Sequence, residues 1–226
     1  MDGTLTAAAV ARTIDHTLLK PEATSSDVEK LCREAARLGV FAVCVSPTLV
    51  PAAVANTPDE IAVATVCGFP SGAHRSAVKA GEAARIVRDG ADEIDMVIDL
   101  GAVKSADWSR VSADISAVVG VAETSLVKVI IESAALTRDE VARCCEEAVG
   151  AGAAFVKTST GFHPAGGASL EAVRLMRATV GPDIGVKASG GIRTGTVAVA
   201  MLEAGADRLG CSSSAAILQE VGEQRI

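Results

Sequence analysis

The chain has 226 residues, a formal net charge of −7, and 49% hydrophobic but only 2% aromatic residues. An acidic chain is not expected to bind nucleic acid or an anionic membrane broadly, because both need clustered lysine and arginine. The sequence contains no apolar run long enough to cross a bilayer and no basic start leading into a signal segment. We therefore expect a cytoplasmic protein that binds neither nucleic acid nor membrane.

Six cysteines and three histidines are present. The cysteines form no Cys-x-x-Cys pair and lie mostly in apolar stretches, which predicts buried, reduced thiols rather than disulfides. The histidines, at positions 16, 74 and 163, lack the spacing of a zinc site. We expect no metal and no cofactor.

Strand patterns and helix patterns alternate along the chain. After a short helix at about 4–12, eight strand-then-helix units follow with short connections and no linker. The predicted strands are 13–19, 40–45, 61–67, 93–98, 126–131, the two that carry Lys157 and Lys187, and 208–211. Strict alternation predicts a parallel sheet, and eight units close into an eight-stranded parallel (β/α)₈ TIM barrel, here a single domain over 1–226. A doubly wound open sheet is the alternative, but the segment 15–18 is not the glycine-rich nucleotide loop it would need.

Helix-end signals support this order. Residues 25–27 provide capping side chains before a helical pattern that Gly39 ends, Ser46 and Pro47 open the next helix, and residues 137–140 form a capping box.

Two predicted strands end in a lysine, Lys157 and Lys187, each followed by small hydroxylic residues and glycine. An ammonium at the dry end of a buried strand is costly, and a neighbouring cation adds to that cost. A lysine held neutral is a nucleophile towards carbonyls. A single lysine could instead extend its amine into solvent, but two at equivalent strand ends favour a function.

Active sites of such barrels lie at the carboxyl ends of the strands, where Asp15, Thr17, Ser46, Asp95 and Glu132 are also expected. Asp95 lies in an otherwise apolar strand, so it needs a cationic partner. It either forms a structural ion pair with a lysine or moves protons together with Lys187 while Lys157 holds the carbon skeleton.

The acids that precede Asp95 in the sequence, Asp92 and Glu93, are expected to face solvent in a turn. Small residues follow strands six, seven and eight, at 159–161, 189–191 and 210–213. Loops of this kind bind phosphate through backbone amides and hydroxyls.

These motifs together resemble the deoxyribose-phosphate aldolase family. The resemblance rests on 155–162, 186–193, 92–98 and 68–70, and it extends from Ile14 to Ser213. It implies a class I, metal-independent aldolase that reversibly splits 2-deoxy-D-ribose 5-phosphate into acetaldehyde and D-glyceraldehyde 3-phosphate. It further implies a homo-oligomer, with a dimer favoured. The chain departs from the family pattern at Asp99, Cys211 and His163.

By motif position, the resemblance implies Lys157 as the Schiff-base lysine and Asp95 and Lys187 as the proton donor/acceptor pair. The positions that match the family's phosphate site are Gly161, Gly190, Gly191, Gly210, Ser212 and Ser213. Further predicted substrate-binding residues, at or near the strand ends, are Asp15, Thr17, Cys44, Thr160 and Ser189.

Two other functions remain open. A phosphosugar isomerase or synthase on the same barrel would use Asp95 and Glu132 as acid and base, but it leaves the paired lysines unexplained. The second alternative is a barrel that binds a phosphorylated metabolite and catalyses no reaction.

Overall fold

Parallel strands close into a ring in the computed structural model, which describes residues 5–223. Each strand pairs with the next, and the last pairs with the first. The eight strands of the described chain are β1 Ile14–Leu18, β2 Ala42–Val45, β3 Ala62–Cys67, β4 Glu93–Val97, β5 Leu126–Ile130, β6 Phe155–Lys157, β7 Gly185–Ser189 and β8 Arg208–Cys211. The predicted (β/α)₈ barrel is therefore confirmed, and the open-sheet alternative is wrong.

Helices surround this barrel. The helices within residues 5–223 are α1 Ala7–Ala11, α2 Ser25–Leu38, α3 Val50–Asn56, α4 Ser76–Arg88, α5 Leu100–Lys104, α6 Trp108–Val119, α7 Arg138–Gly150, α8 Leu170–Val180, α9 Gly195–Glu203 and α10 Ser214–Glu223. In this part of the chain none is long and apolar enough to cross a membrane. The start of the predicted 4–12 helix, residue 4, lies outside the described residues.

Capping explains most of the helix boundaries. Thr137 and Glu140 form the predicted capping box of α7. The box of α2 begins one residue earlier than predicted, at Thr24, whose hydroxyl accepts from the backbone N–H of Asp27 while Asp27 accepts from the backbone of Thr24. Gly39 then ends α2 in a left-handed conformation, φ 65°, which glycine adopts without steric cost.

Two local features differ from the sequence-based expectation. The element after Ser46 begins as a 3₁₀ turn, Pro47–Leu49, and Ser46 makes no side-chain cap. The short helix α5 was not predicted; Asp99, one of the departures from the family pattern, caps it by accepting from Ala102 N–H and pairs with Arg110 at 2.5 Å.

The strands have two faces of different chemistry. Outward side chains join the helices in one large apolar cluster, to which Val43 and Val63 belong. Cys44, Ala64 and Val66 alternate with these residues along β2 and β3, and they form a separate small cluster. The other strands place charged side chains in the interior of the barrel. The groups that could react with a substrate are therefore concentrated there.

Candidate active site

Asp95 lies at the centre of the barrel interior and accepts from three lysines. Its Oδ2 lies 2.7 Å from Lys157 Nζ and 2.6 Å from Lys187 Nζ, and its Oδ1 lies 2.6 Å from Lys128 Nζ. Strand register places them together, because Asp95 pairs with Lys128 across β4 and β5, and Lys157 pairs with Lys187 across β6 and β7. The three predicted catalytic side chains thus form one cluster, with Lys128 as an additional member.

Asp15 connects this cluster to the strand that closes the barrel. It accepts from Lys187 through Oδ2 and from Arg208 through Oδ1, with Arg208 Nε at 2.9 Å. Arg208 also bonds Glu93 at 3.0 Å, and Glu93 lies 2.6 Å from Lys128.

The prediction that Glu93 faces solvent is therefore wrong. Only 5% of Glu93 is exposed, because Glu93 and Asp95 are two residues apart on one strand and share its inward face. Asp92, which precedes Glu93, is exposed as predicted, and its carboxylate accepts from the backbone N–H of Val63.

The two predicted lysines differ in charge state. Burial lowers the pKa of Lys157, and the nearby Lys187 ammonium lowers it further, against the opposing attraction of Asp95. Burial also acts against the charge of Lys187, but the carboxylates of Asp15 and Asp95 outweigh it and raise the pKa of Lys187. Lys157 is therefore the amine that gives up its proton more readily.

Both carboxylates stay ionised. Burial alone would raise the pKa of Asp95, but Lys128, Lys157 and Lys187 together hold it well below its usual value. For Asp15 the balance is similar, because burial is outweighed by Lys187, Arg208 and Lys128, which lower its pKa to about 2.

A cavity of about 270 Å³ opens at the carboxyl ends of the strands, and Lys157 lines it. Eight of the predicted substrate-binding residues also line it: Thr17, Thr160, Gly161, Ser189, Gly190, Gly191, Gly210 and Ser212. Asp15, Cys44 and Ser213 do not. Asp15 is buried beneath the cavity in the charge cluster, and Ser213 leads into α10.

Cys44 is fully buried on β2 beside Ala64 and Val66. Burial raises the pKa of its thiol. All six cysteines are buried and free, as the sequence predicted.

Hydrogen bonds between the loops after β6 and β7 fix the wall of this cavity. Ser189 Oγ donates to Ser159 O at 2.5 Å, and Ser189 N–H donates to Thr158 Oγ1 at 3.0 Å. Glycine is required where these loops meet, because a Cβ on Gly167 would lie 2.2 Å from the carbonyl oxygen of Gly190. Gly190 itself has a left-handed φ of 86°.

Several lining residues were missed by the sequence analysis: Leu18, Leu19, Lys20, Phe162, Ile192 and Arg193. Lys20 and Arg193 bring positive charge to the cavity, and Phe162 packs edge-on against Phe69 with ring centroids 5.2 Å apart. Arg193 is the last residue of the 186–193 motif and Lys20 directly follows the predicted strand 13–19, so their positive charge beside the predicted phosphate loops was the signal that could have identified them.

Among residues 5–223, no group of three or more His, Cys, Asp or Glu side chains could hold a metal ion. Fold and site together define a class of protein: a (β/α)₈-barrel enzyme with a buried lysine amine beneath a cavity lined by small polar loops and two cations.

Comparison with known proteins then identifies the family. The model of the DeoC/LacD family aldolases matches residues 9–220, and the chain belongs to that family. The deoxyribose-phosphate aldolase of Corynebacterium diphtheriae is 57% identical over 215 residues, which covers 95% of this chain and 97% of that protein. That of Mycobacterium avium is 58% identical over 223 residues, which covers 97% of this chain and 100% of that protein.

Solved structures agree with this assignment. The structure of the aldolase QR15 superposes with a TM-score of 0.90 at 39% identity, covering 96% of this chain and 97% of that one. The tetrameric deoxyribose phosphate aldolase of Aeropyrum pernix superposes with a TM-score of 0.88 at 34% identity, covering 95% of this chain and 91% of that one.

Proposed function

We propose that this protein is a class I aldolase that reversibly cleaves 2-deoxy-D-ribose 5-phosphate into acetaldehyde and D-glyceraldehyde 3-phosphate. The observation that carries this proposal is the difference between its two paired lysines. Lys157 lines the cavity with a lowered pKa, while Lys187 is held charged by Asp15 and Asp95. A neutral amine beside a fixed ammonium is the arrangement that carbonyl attack needs.

The covalent steps follow from the chemistry of that amine. Lys157 attacks the C1 aldehyde of the open-chain sugar, the carbonyl oxygen takes up protons and leaves as water, and a protonated imine forms. The C2–C3 bond then breaks and its electron pair moves towards the imine nitrogen, while the C3 hydroxyl loses its proton and C3 becomes the aldehyde of glyceraldehyde 3-phosphate. The enamine left on Lys157 takes a proton at C2, and water releases acetaldehyde and restores the amine. The enamine replaces a carbanion too unstable to form in water.

Asp95 and Lys187 are the residues that move protons in this proposal. In the resting cluster Asp95 is ionised and Lys187 is protonated, so the first donor is Lys187 and the first acceptor is Asp95. Both lie within hydrogen-bond distance of one another, with Lys187 Nζ 2.6 Å from Asp95 Oδ2. The proton can therefore pass between them as the charge on the substrate changes.

The phosphate is held by the glycine loops and cations of the cavity. Gly190, Gly191, Ser212, Lys20 and Arg193 line it, and they offer backbone N–H groups, a hydroxyl and two positive charges to a phosphate. Phosphate binding by glycine loops with additional positive charge is common at this end of such barrels.

The position of Glu132 weighs against an isomerase. Its carboxylate accepts from the backbone N–H of Thr160 and, at 2.6 Å, from the Thr160 hydroxyl, and only 1% of the residue is exposed. A carboxylate engaged in this way anchors a loop rather than serving as the base that an isomerase needs.

Trapping of the covalent intermediate tests the proposal. Acetaldehyde followed by borohydride should leave a reduced adduct on the peptide that contains Lys157, and Lys157→Leu should abolish it. The exposed Lys30, which pairs with Asp27 on α2, gives a matched control, because Lys30→Leu should leave trapping unchanged. If no lysine is trapped while the sugar phosphate still binds, the protein is not a class I aldolase.

Location and assembly are further parts of the proposal. We propose a cytoplasmic location, because free, buried cysteines suit a reducing compartment.

We also propose a homo-oligomer, with a dimer as the favoured state, on the basis of the family resemblance. Light scattering after size-exclusion chromatography gives its mass. A monomer at assay concentration would contradict it.

A further inference from the structure

Within residues 5–223, seven charged side chains fill the interior of the barrel, and their charges do not cancel. Every one of them is at most 5% exposed. The cations are Lys128, Lys157, Lys187 and Arg208, and the carboxylates are Asp15, Glu93 and Asp95. With every group ionised, four positive charges face three negative ones. Because an uncompensated charge in a buried site is costly, the cluster is most stable after one cation loses its proton.

Other groups that face the cluster do not alter this count. Cys44 on β2 and Cys211 on β8 are neutral thiols, since burial raises the pKa of both. Strand β3 turns Ala64 and Val66 inward. Glu132, beyond the end of β5, bonds Thr160 and contacts none of the seven.

The number of carboxylate contacts decides which cation loses the proton. Among the described carboxylates, Lys157 contacts only Asp95, whereas Lys187 contacts Asp15 and Asp95. Lys128 contacts Glu93 and Asp95, both at 2.6 Å, and Asp15 at 3.9 Å. Arg208, which does not deprotonate in proteins, contacts Asp15 and Glu93. Lys157 therefore gives up the least electrostatic stabilisation when it loses its proton. Of the four cations, it is also the one that lines the cavity.

Glu93, Lys128 and Arg208 form a lower tier of this cluster. None of the three lines the cavity, so none can touch the substrate there. Lys128 bonds the oxygen of Asp95 that Lys157 leaves unoccupied, and Glu93 joins Lys128 to Arg208. The lower tier thus adds two cations and one carboxylate to the other four members of the cluster, which are Asp15, Asp95, Lys157 and Lys187.

We propose that this lower tier fixes the charge balance of the active site, so that the surplus of one positive charge is relieved at Lys157 and makes it the neutral nucleophile. Lys128, Glu93 and Arg208 are then positioning residues that act through Asp95 and Asp15. This proposal rests on the proposed function, because it concerns the protonation of the amine that forms the Schiff base.

The test is the pH dependence of acetaldehyde trapping at Lys157, followed by mass spectrometry of the peptide. Lys128→Met leaves three cations and three carboxylates, so Lys157 should keep its proton and the midpoint of the profile should move up by about one pH unit, the effect of one unit charge at this range. The double variant Lys128→Met with Glu93→Gln restores a surplus of one positive charge. Its midpoint should therefore return towards that of the wild type, which a packing defect would not produce.

A matched control lies outside the barrel. Lys79 is as fully buried as Lys128 and pairs with Asp114 at 2.6 Å, but it contacts none of the seven groups. Lys79→Met should leave the midpoint unchanged. If Lys128→Met does not fold, Lys128→Gln removes the same charge while keeping a donor for Asp95, and the same shift is expected.

Three results would overturn the proposal: an unchanged midpoint in the Lys128 variant, a double variant that keeps the shifted midpoint, or an equal shift in Lys79→Met. Failure of the proposed function is a different result, because the wild-type protein would then form no Lys157 adduct at any pH.

Discussion

The Glu132 carboxylate holds Thr160 by both its backbone N–H and its hydroxyl, and so ties the end of β5 to the loop that follows β6. Glu132 adopts a left-handed conformation, φ 56°, in making this contact. Residues other than glycine adopt this backbone conformation at a cost in free energy, and the hydrogen bonds to Thr160 offset that cost. The loop in question carries Thr160 and Gly161 on the cavity wall.

Replacing Glu132 by Ala should loosen this wall without removing any group that reacts. Loss of a hydrogen bond to a charged acceptor is worth about 1.5–3 kcal/mol, so we expect KM for deoxyribose 5-phosphate to rise roughly tenfold or more. Borohydride trapping of acetaldehyde, which does not use the phosphate subsite, should change much less. If Glu132→Ala lowers the trapping of acetaldehyde by the same factor by which it raises KM, then Glu132 takes part in the chemistry.

Lys20 and Arg193 should matter for phosphorylated substrates alone. We expect Lys20→Gln or Arg193→Gln to raise KM for deoxyribose 5-phosphate roughly fivefold to thirtyfold, because a lost charge contact with phosphate costs about 1–2 kcal/mol in a site open to solvent. The same variants should cleave unphosphorylated deoxyribose as the wild type does. Steady-state kinetics on both sugars at two salt concentrations makes the comparison, and equal losses on both would contradict a phosphate role.

Cys44 should be unreactive in the folded protein. It is fully buried and its pKa is raised, so little thiolate is present and reagents have no access. We expect an α,β-unsaturated aldehyde to inactivate the wild type and Cys44→Ala at the same rate. Peptide mapping after treatment under native and denaturing conditions gives the check: Cys44 should be alkylated only in the denatured sample. Native alkylation of Cys44 with protection in the Ala variant would show that β2 opens.

Gly185 should not tolerate even one methyl group. A Cβ at this position would lie 2.1 Å from the Phe155 ring, so Gly185→Ala should destabilise the fold by about 1–3 kcal/mol through overpacking. Gly81 in α4 is the control, because apart from its chain neighbours and the backbone of its own helix no atom of residues 5–223 lies within 4 Å of its Cβ position, and Gly81→Ala should stabilise the fold by about 0.5–1 kcal/mol. Urea unfolding of both variants measures the two effects, and equal stability of the two would refute the packing argument.

Local rules made the barrel predictable from the sequence. Most strands contain a short apolar run, and several helix boundaries carry a strong signal, such as the capping box at Thr137 or the left-handed Gly39. Lys157 and Lys187 could be found because a lysine at the end of an apolar run is conspicuous. Their pairing with Asp95 was expected because a buried carboxylate needs a cationic partner, and the carboxyl ends of barrel strands meet at one face.

The lower tier of charges was harder to predict. Glu93 comes directly after Asp92, and two adjacent acids before a strand resemble a turn. The alternation of a strand would have indicated otherwise, because an inward Asp95 requires an inward Glu93. Lys128 could be recognised only through its register with Asp95, which depends on the sheet and not on β5 itself.

Asp15 and Lys187 are bonded although 172 residues separate them, and Asp15 and Arg208 are 193 residues apart. During synthesis on a ribosome, β1 is made early and waits until nearly the whole chain has emerged before β8 can close the ring beside it. Until then Asp15 lacks its bonds to Arg208 and the edge of β1 that pairs with β8 stays open, so the incomplete barrel exposes an unpaired strand edge. Enzymatic competence thus arrives only with the last strand.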